Sequence, residues 1–204
     1  MKEILKTIYL FKELSEKELD SLILISSFAS YKKDSLLFTS GDVGEHLLIL
    51  IDGDVSVFKY DNKGNEIVIG FFSPYSLIAE AALLRGIPFP SSARFKTDGC
   101  ILKIEMDSFR MYFLTDPKIS SDIINSLLSK IQLLQQNIHL NIASTAKEKI
   151  LHLYETNASI VSKLKKYEIA TLLGMSPETF SRNLNTLITD KKLLKTSNGY
   201  EIVK

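Results

Sequence analysis

Residues 166–189 read KYEIATLLGMSPETFSRNLNTLIT. The stretch predicts two short helices joined by a tight turn. Ile169, Ala170, Leu172 and Leu173 supply the apolar side of the first helix. Gly174 follows at the position where a backbone with φ > 0 is easiest to accept. Ser176 is placed to cap the second helix, and Pro177 suits its first turn, where a missing N–H costs nothing. Ala170, Gly174 and Phe180 then have the spacing of a helix-turn-helix. A small residue sits where the helices touch, a glycine sits in the turn, and an apolar residue on the second helix faces back.

The second helix has two faces. At about 100° per residue, Phe180, Leu184, Leu187 and Ile188 fall on one side. Glu178, Ser181, Arg182 and Asn185 fall on the other, and every one of them can make directional contacts. Arginine can bond the O6/N7 edge of guanine, and glutamate can accept from the amino group of cytosine. Read alone, such a face is also that of an ordinary solvated amphipathic helix. Its neighbours favour the first reading. Lys191-Lys192-Leu193-Leu194-Lys195 follows, and then Asn198-Gly199 between two short alternating runs, a strong hairpin signal. A hairpin directly after a helix-turn-helix is a wing, and its lysines are placed for the phosphate backbone. Ser176, Glu178, Thr179, Ser181, Arg182, Asn185, Lys192 and Lys195 form the candidate DNA-binding set.

Charge separates the two ends of the chain. The 204 residues carry a net charge of +1. Residues 144–204 hold ten Lys/Arg against six Asp/Glu, whereas residues 1–143 hold fifteen against eighteen. A basic end on a mildly acidic body fits one domain for DNA and another for something else. Cys100 stands alone, so neither an intramolecular disulfide nor a cysteine-ligated cluster can form within one chain. It reads as a small buried residue on a strand. The chain opens without a basic-then-apolar leader, and no apolar run reaches the length of a membrane span. A cytoplasmic protein is expected.

The rest divides by period. Residues 4–29 read as helical, with Ser15 and Glu18 forming a capping box. From Ser35 the period becomes two, with strands expected at Leu36–Thr39, Leu47–Ile51, Val55–Tyr60, Glu66–Phe71, Ser76–Ile78, Ala93–Lys96 and Ile101–Glu105. Turn signals every eight to twelve residues indicate a β-sandwich or small barrel. A short helix is expected to start at Asp107 or Ser108, and another after Asp116-Pro117. In that one Ile124, Leu127, Ile131, Leu134 and Ile138 are spaced 3-4-3-4, a coiled-coil seam of the kind that favours parallel dimers. Leu128 and Ile142 widen the stripe and could pack on the barrel. Thr145 and Glu148 form a further capping box, which places a helix end or hinge near residues 141–144. The expected domains are a sensing β-barrel over 1–115, a dimerisation helix and hinge over 116–143, and a winged helix-turn-helix over 144–204.

A barrel, a dimer helix and a winged helix-turn-helix in this order resemble the family of the cyclic-AMP receptor protein and the fumarate–nitrate reduction regulator (Crp/Fnr). Ser40-Gly41-Asp42 with His46-Leu-Leu-Ile-Leu-Ile-Asp-Gly-Asp-Val-Ser-Val looks like its barrel segment, Gly64-Asn65-Glu66 like its hairpin, and Ala79-Glu80-Ala81-Ala82-Leu83-Leu84 like the start of its phosphate-binding cassette. The resemblance covers nearly the whole chain. It implies an α+β protein with an N-terminal cyclic-nucleotide-binding-like β-barrel of jelly-roll type. It also implies a homodimer, a DNA palindrome, RNA polymerase as a partner, and a small effector held near Glu80, Ala81, Ser91 and Ser92. In the family's cyclic-nucleotide binders a glutamate bonds the ribose and an arginine about ten residues on neutralises the phosphate. Here that zone reads Ile87-Pro88-Phe89-Pro90-Ser91-Ser92, with Arg85 and Arg94 out of register, so a cyclic nucleotide is not expected to bind. The Ile-Pro-Phe-Pro segment looks like the dissimilatory nitrate respiration regulator branch, whose members respond to nitric oxide through haem. For haem the chain offers His46, His139 and His152. The Glu178-x-x-Ser181-Arg182 spelling looks like the fumarate–nitrate reduction regulator branch and implies a TTGA-like half-site.

Two other function classes compete with this reading. An enzyme is disfavoured, because no P-loop, Gly-x-Ser-x-Gly, His-Glu-x-x-His or dinucleotide fingerprint occurs. The remaining alternative is an effector-binding module whose winged helix docks protein rather than DNA.

Overall fold

The structure is a computed structural model and describes residues 1–156, 161, 164–196 and 199–203; within these, the side chains of 133 and 136–143 are left undescribed. The chain divides into two compact units, residues 1–60 with 69–131, and residues 61–68 with 132–204.

The first unit opens with helices α1 (Lys2–Thr7) and α2 (Glu16–Leu24). Strands β1 (Ser26–Tyr31), β2 (Leu36–Phe38), β3 (His46–Asp52), β4 (Val55–Tyr60), β5 (Glu66–Phe72) and β6 (Leu77–Ile78) follow. Next come α3 (Glu80–Arg85), β7 (Ser92–Phe95), β8 (Gly99–Glu105), α4 (Met106–Tyr112) and the long α5 (Pro117–Ala143), whose residues from 132 on fall in the second unit. The strands form two four-stranded sheets, β1-β8-β3-β6 and β2-β7-β4-β5. Their recorded pairs are antiparallel. The jelly-roll expectation holds. Leu47, Leu48, Ile49 and Leu50 are all buried, so β3 is covered on both faces rather than one. They join one core with Leu5, Phe11, Leu19, Leu22, Phe109, Ile119 and Ile123, which brings α1, α2, α4 and α5 onto the barrel.

Three expectations need correction. The run 4–29 is not one helical segment. The Ser15–Glu18 capping box does open α2, but residues 26–31 pair with β8, from Ser26↔Ile104 to Tyr31↔Gly99. The Ser26 hydroxyl donates to the Leu22 carbonyl at 2.6 Å, and the Glu105 N–H donates to the Ile25 carbonyl at 2.9 Å; these contacts end the helix and start the strand. The helix expected from Asp107 or Ser108 begins at Met106, because the Glu105 carboxylate accepts from the Asp107 and Ser108 N–H groups and caps it. Leu128 does not pack on the barrel. It is 51% exposed, while its neighbour Leu127 lies against the core. A helix turns about 100° between adjacent residues, so only one of the pair can face the barrel. Observed strand ends otherwise lie within two residues of those expected, as element boundaries usually do. Cys100 lies on β8 but is partly exposed.

In the second unit, α6 (Ala146–Thr156) starts at the Thr145–Glu148 capping box, with the Glu148 carboxylate accepting the Thr145 N–H at 2.7 Å. Helices α7 (Lys166–Leu172) and α8 (Pro177–Thr189) lead to a hairpin of β9 (Leu193–Thr196) and β10 (Gly199–Ile202). Ile150, Leu153, Tyr154, Ile169, Ala170, Phe180, Leu184, Leu187 and Leu193 form its separate core. Of the expected hairpin turn, Asn198 lies outside the described residues, whereas Gly199 opens β10.

Candidate nucleic-acid interface and effector pocket

The helix-turn-helix forms as its sequence directs. Ala170 and Phe180 are both fully buried, as a small residue and its facing aromatic at a helix contact should be. Gly174 has φ +64°, and a Cβ there would meet nothing within 4 Å, so the left-handed backbone rather than lack of space asks for glycine. The Ser176 hydroxyl accepts the Thr179 N–H at 3.2 Å, and Pro177 is the first residue of α8.

On the other face of α8, Glu178, Arg182 and Asn185 are exposed and Thr179 and Ser181 half-buried. Ser176, Lys192 and Lys195 are exposed as well. Backbone N–H at the start of α8, and then the Ser176 hydroxyl, hold the Glu178 carboxyl below its ordinary range, so it is an acceptor at neutral pH. Among the described residues the Arg182 guanidinium has no ion-pair partner. The wing is fixed by Tyr200, whose ring meets Tyr154 edge-on at 6.0 Å and lies 5.7 Å from the Lys166 Nζ. Burial, and then the neighbouring Tyr200, push the Tyr154 phenol up to about 12. The arrangement sets donors and acceptors on a rigid helix, with lysines on the adjoining hairpin.

The residues expected at the effector pocket in the first unit differ in burial and in partners. Glu80 is 2% exposed and meets a cation the sequence reading missed: the Lys130 Nζ, from α5, lies 2.5 Å from Glu80 Oε1. The same ammonium donates to the Leu77 carbonyl at 2.8 Å and stands 5.1 Å from the Phe72 ring centroid. Burial pulls the Lys130 pKa below its usual value, and Glu80 pushes it back up. A readable signal existed. Lys130 falls on the barrel-facing stripe of Ile119, Ile123 and Leu127, an odd place for a lysine unless it is paired. Ala81 is exposed, and Ser91 is buried. The Ser92 hydroxyl is taken by the Ser40 N–H at 2.9 Å. Phe89 is buried and stacks on Phe38 at 4.0 Å. Arg94 stands 4.5 Å over the Phe58 ring. The helix that follows Glu80 is held from outside by Arg110, which donates to the Leu83 and Leu84 carbonyls at 2.5 and 3.2 Å. Ala79 precedes it with φ 58°, a left-handed conformation unusual for alanine.

The structure places two of the three histidines offered for haem. His46 is half-buried on the rim of a cleft of about 180 Å³ lined by Phe38, Leu48, Phe89 and Lys103. That is short of the roughly 300–1,000 Å³ pockets that hold drug-sized ligands. His152 is half-buried on α6, and no group of three His, Cys, Asp or Glu suited to a metal occurs among the described residues. The His139 side chain lies outside the described residues. No helix of the described residues is long and apolar enough to cross a membrane. On α5, Ile124, Ile131 and Leu134 are 55, 49 and 50% exposed, Leu127 is partly buried against the barrel, and the Ile138 side chain is outside the described residues.

Residues 28–116 match the cyclic nucleotide-binding domain. Over 184 residues the chain is 23% identical to the cAMP-activated global transcriptional regulator CRP of Salmonella typhimurium, covering 85% of this chain and 87% of that protein. The fold is that of FixK2 from Bradyrhizobium japonicum, with a TM-score of 0.72 at 18% identity over 88% of this chain and 93% of the other. It is also similar to DNR from Pseudomonas aeruginosa, with a TM-score of 0.55 at 18% identity over 100% of this chain and 93% of the other.

Proposed function

We propose that this chain, which belongs to the Crp/Fnr family of transcription regulators, is a dimeric, sequence-specific DNA-binding regulator that reads the major groove with α8. The observation that carries this reading is the polar face of α8. Arg182 stands there without an ion-pair partner among the described residues, on a helix anchored by the buried Phe180, Leu184 and Leu187. Arg182 bonds a guanine, Glu178 accepts from a cytosine amino group on the opposite strand, and Ser181 meets a thymine edge. Ser176, Thr179, Asn185, Lys192 and Lys195 contact phosphates and position the helix. The half-site is TTGA-like, and the two-fold axis of a dimer sets two of them as an inverted repeat about one helical turn apart. The seam runs along α5 through Ile124, Ile131, Leu134 and Ile138 with Leu127 at its barrel-side edge. Residues 1–115 sense a small effector, 116–143 dimerise and 144–204 bind DNA, with RNA polymerase as the further partner such a regulator implies.

The effector is not a cyclic nucleotide. A phosphate in the cassette would have no arginine in register, and the cassette glutamate already holds an ammonium. Calorimetry with cyclic AMP and cyclic GMP should give no heat of binding; micromolar binding of either overturns this part. Selection from random duplexes tests the DNA reading. It should enrich a palindrome with a TGA core. A palindrome without that core refutes the roles of Arg182, Glu178 and Ser181. Enrichment of no DNA favours a winged helix that docks protein.

A further inference from the structure

Lys130 and Glu80 lie fifty residues apart in sequence and belong to α5 and to the start of α3. All the polar contacts recorded for the Lys130 ammonium point into the barrel unit: the Glu80 carboxylate, the Leu77 carbonyl and the Phe72 ring. One turn earlier on α5, Ser126 hydrogen-bonds the Tyr9 phenol, whose proton is held first by burial and further by the charges of Glu80 and Asp122. Two successive turns of α5 are thus tied by polar groups on the barrel side. The opposite side carries Ile124, Leu128 and Ile131, each about half exposed.

This geometry fixes the rotation of α5 about its own axis. Apolar packing of Ile119, Ile123 and Leu127 tolerates a modest roll, because methyl groups are interchangeable neighbours. The ion pair does not, because a roll that withdraws Lys130 leaves a buried carboxylate without a counter-charge. The same roll turns Ile131, about 100° on, through the same angle, so the direction in which the exposed stripe faces changes with it.

We propose that the Glu80–Lys130 ion pair is an internal latch that holds α5 in the rotation that presents its exposed stripe to a second copy of this chain. The inference rests on α5 being the dimer helix. Lys130 is a positioning residue in this scheme, and it acts through the seam rather than on any ligand.

The test uses the full chain, unfolded and refolded in defined buffer to strip small molecules. Sedimentation equilibrium then gives the dimer dissociation constant, and gel shift gives binding to the selected palindrome. Refolded wild type should dimerise. Lys130→Met and Glu80→Gln should each raise the dimer dissociation constant at least tenfold, and the double variant should cost less than their product. Lys130→Arg should retain dimerisation, which keeps the test decisive where a neutral variant folds poorly. Lys118→Met removes a different α5 ion pair, to Glu13, and should change nothing. The proposal is overturned by a refolded wild type that stays monomeric. It is equally overturned by folded Lys130→Met that dimerises like wild type. Latch-dependent dimers that bind no duplex support the latch and refute the DNA reading instead.

Discussion

Replacing Ile131 by Asp puts a charge at the middle of the exposed α5 stripe. In the single chain Ile131 is 49% exposed, with Ile124, Leu128 and Leu134 beside it at 55, 51 and 50%. Fully burying such a side chain contributes about 1.5–3 kcal/mol, so covering the remaining half contributes roughly 1 kcal/mol, and two copies at a two-fold seam roughly 2. Aspartate forfeits that contribution. It also brings two carboxylates out of water at one seam, and desolvation costs several kcal/mol per buried ion. The sum is at least about 5 kcal/mol, or more than roughly three decades in the dimer dissociation constant. Because the site is half exposed before association, the barrel itself should lose no more than the roughly 0.5 kcal/mol typical of surface changes. Sedimentation equilibrium should therefore show a folded monomer. Leu127→Ala makes the contrast. It touches the barrel core, so it should lower the melting temperature of the monomer. An Ile131→Asp protein that dimerises with unchanged affinity places the seam elsewhere.

Arg182→Ala should cost about 1–3 kcal/mol of specific binding and relax the preference at the guanine alone, read by competition with single-base variants. Lys192→Ala or Lys195→Ala should weaken all sequences alike and lower the salt slope by about one for each phosphate contact removed; a sequence-dependent loss would refute a backbone role. Ala79→Gly should raise the stability of the first unit by roughly 0.5–1 kcal/mol in denaturant titration, since glycine takes the left-handed φ of 58° without the strain alanine bears, less its larger unfolded entropy. The Tyr154 phenol is raised from 10.0 to about 12 in the folded unit. The folded state thus holds this proton more tightly than the unfolded one. Its stabilising effect is complete below pH 10 and lost as pH rises toward 12. Tyr154→Phe should flatten the melting temperature across that window, and an unchanged alkaline fall would sink the assignment.

Much of this fold is written in short-range chemistry. The Ser15–Glu18 and Thr145–Glu148 capping boxes, the Ser176–Pro177 start of α8, Gly174 with its positive φ, and the period-two runs from Leu36 to Glu105 each depend on neighbours within a few residues. A sequence shows such features directly. The two-faced pattern of α8 is of the same kind, and it alone places Phe180 and Arg182 on opposite sides.

What the sequence alone determined is the local set: helices, turns, most strands, the winged helix-turn-helix and the polar face of α8, because their causes lie within one or two turns of chain. Only tertiary structure decided the rest. Ser26–Tyr31 follows a helix and became a strand because β8, 68 to 78 residues on in the pairing, offered its edge. Leu127 and Leu128 are equal as residues, and the barrel chose between them. Glu80 is paired by Lys130, which arrives from fifty residues on. Each of these is a contact between distant segments, and its energy appears only when the chain closes on itself: a ladder hydrogen bond, a buried methyl, a desolvated charge that must find its partner.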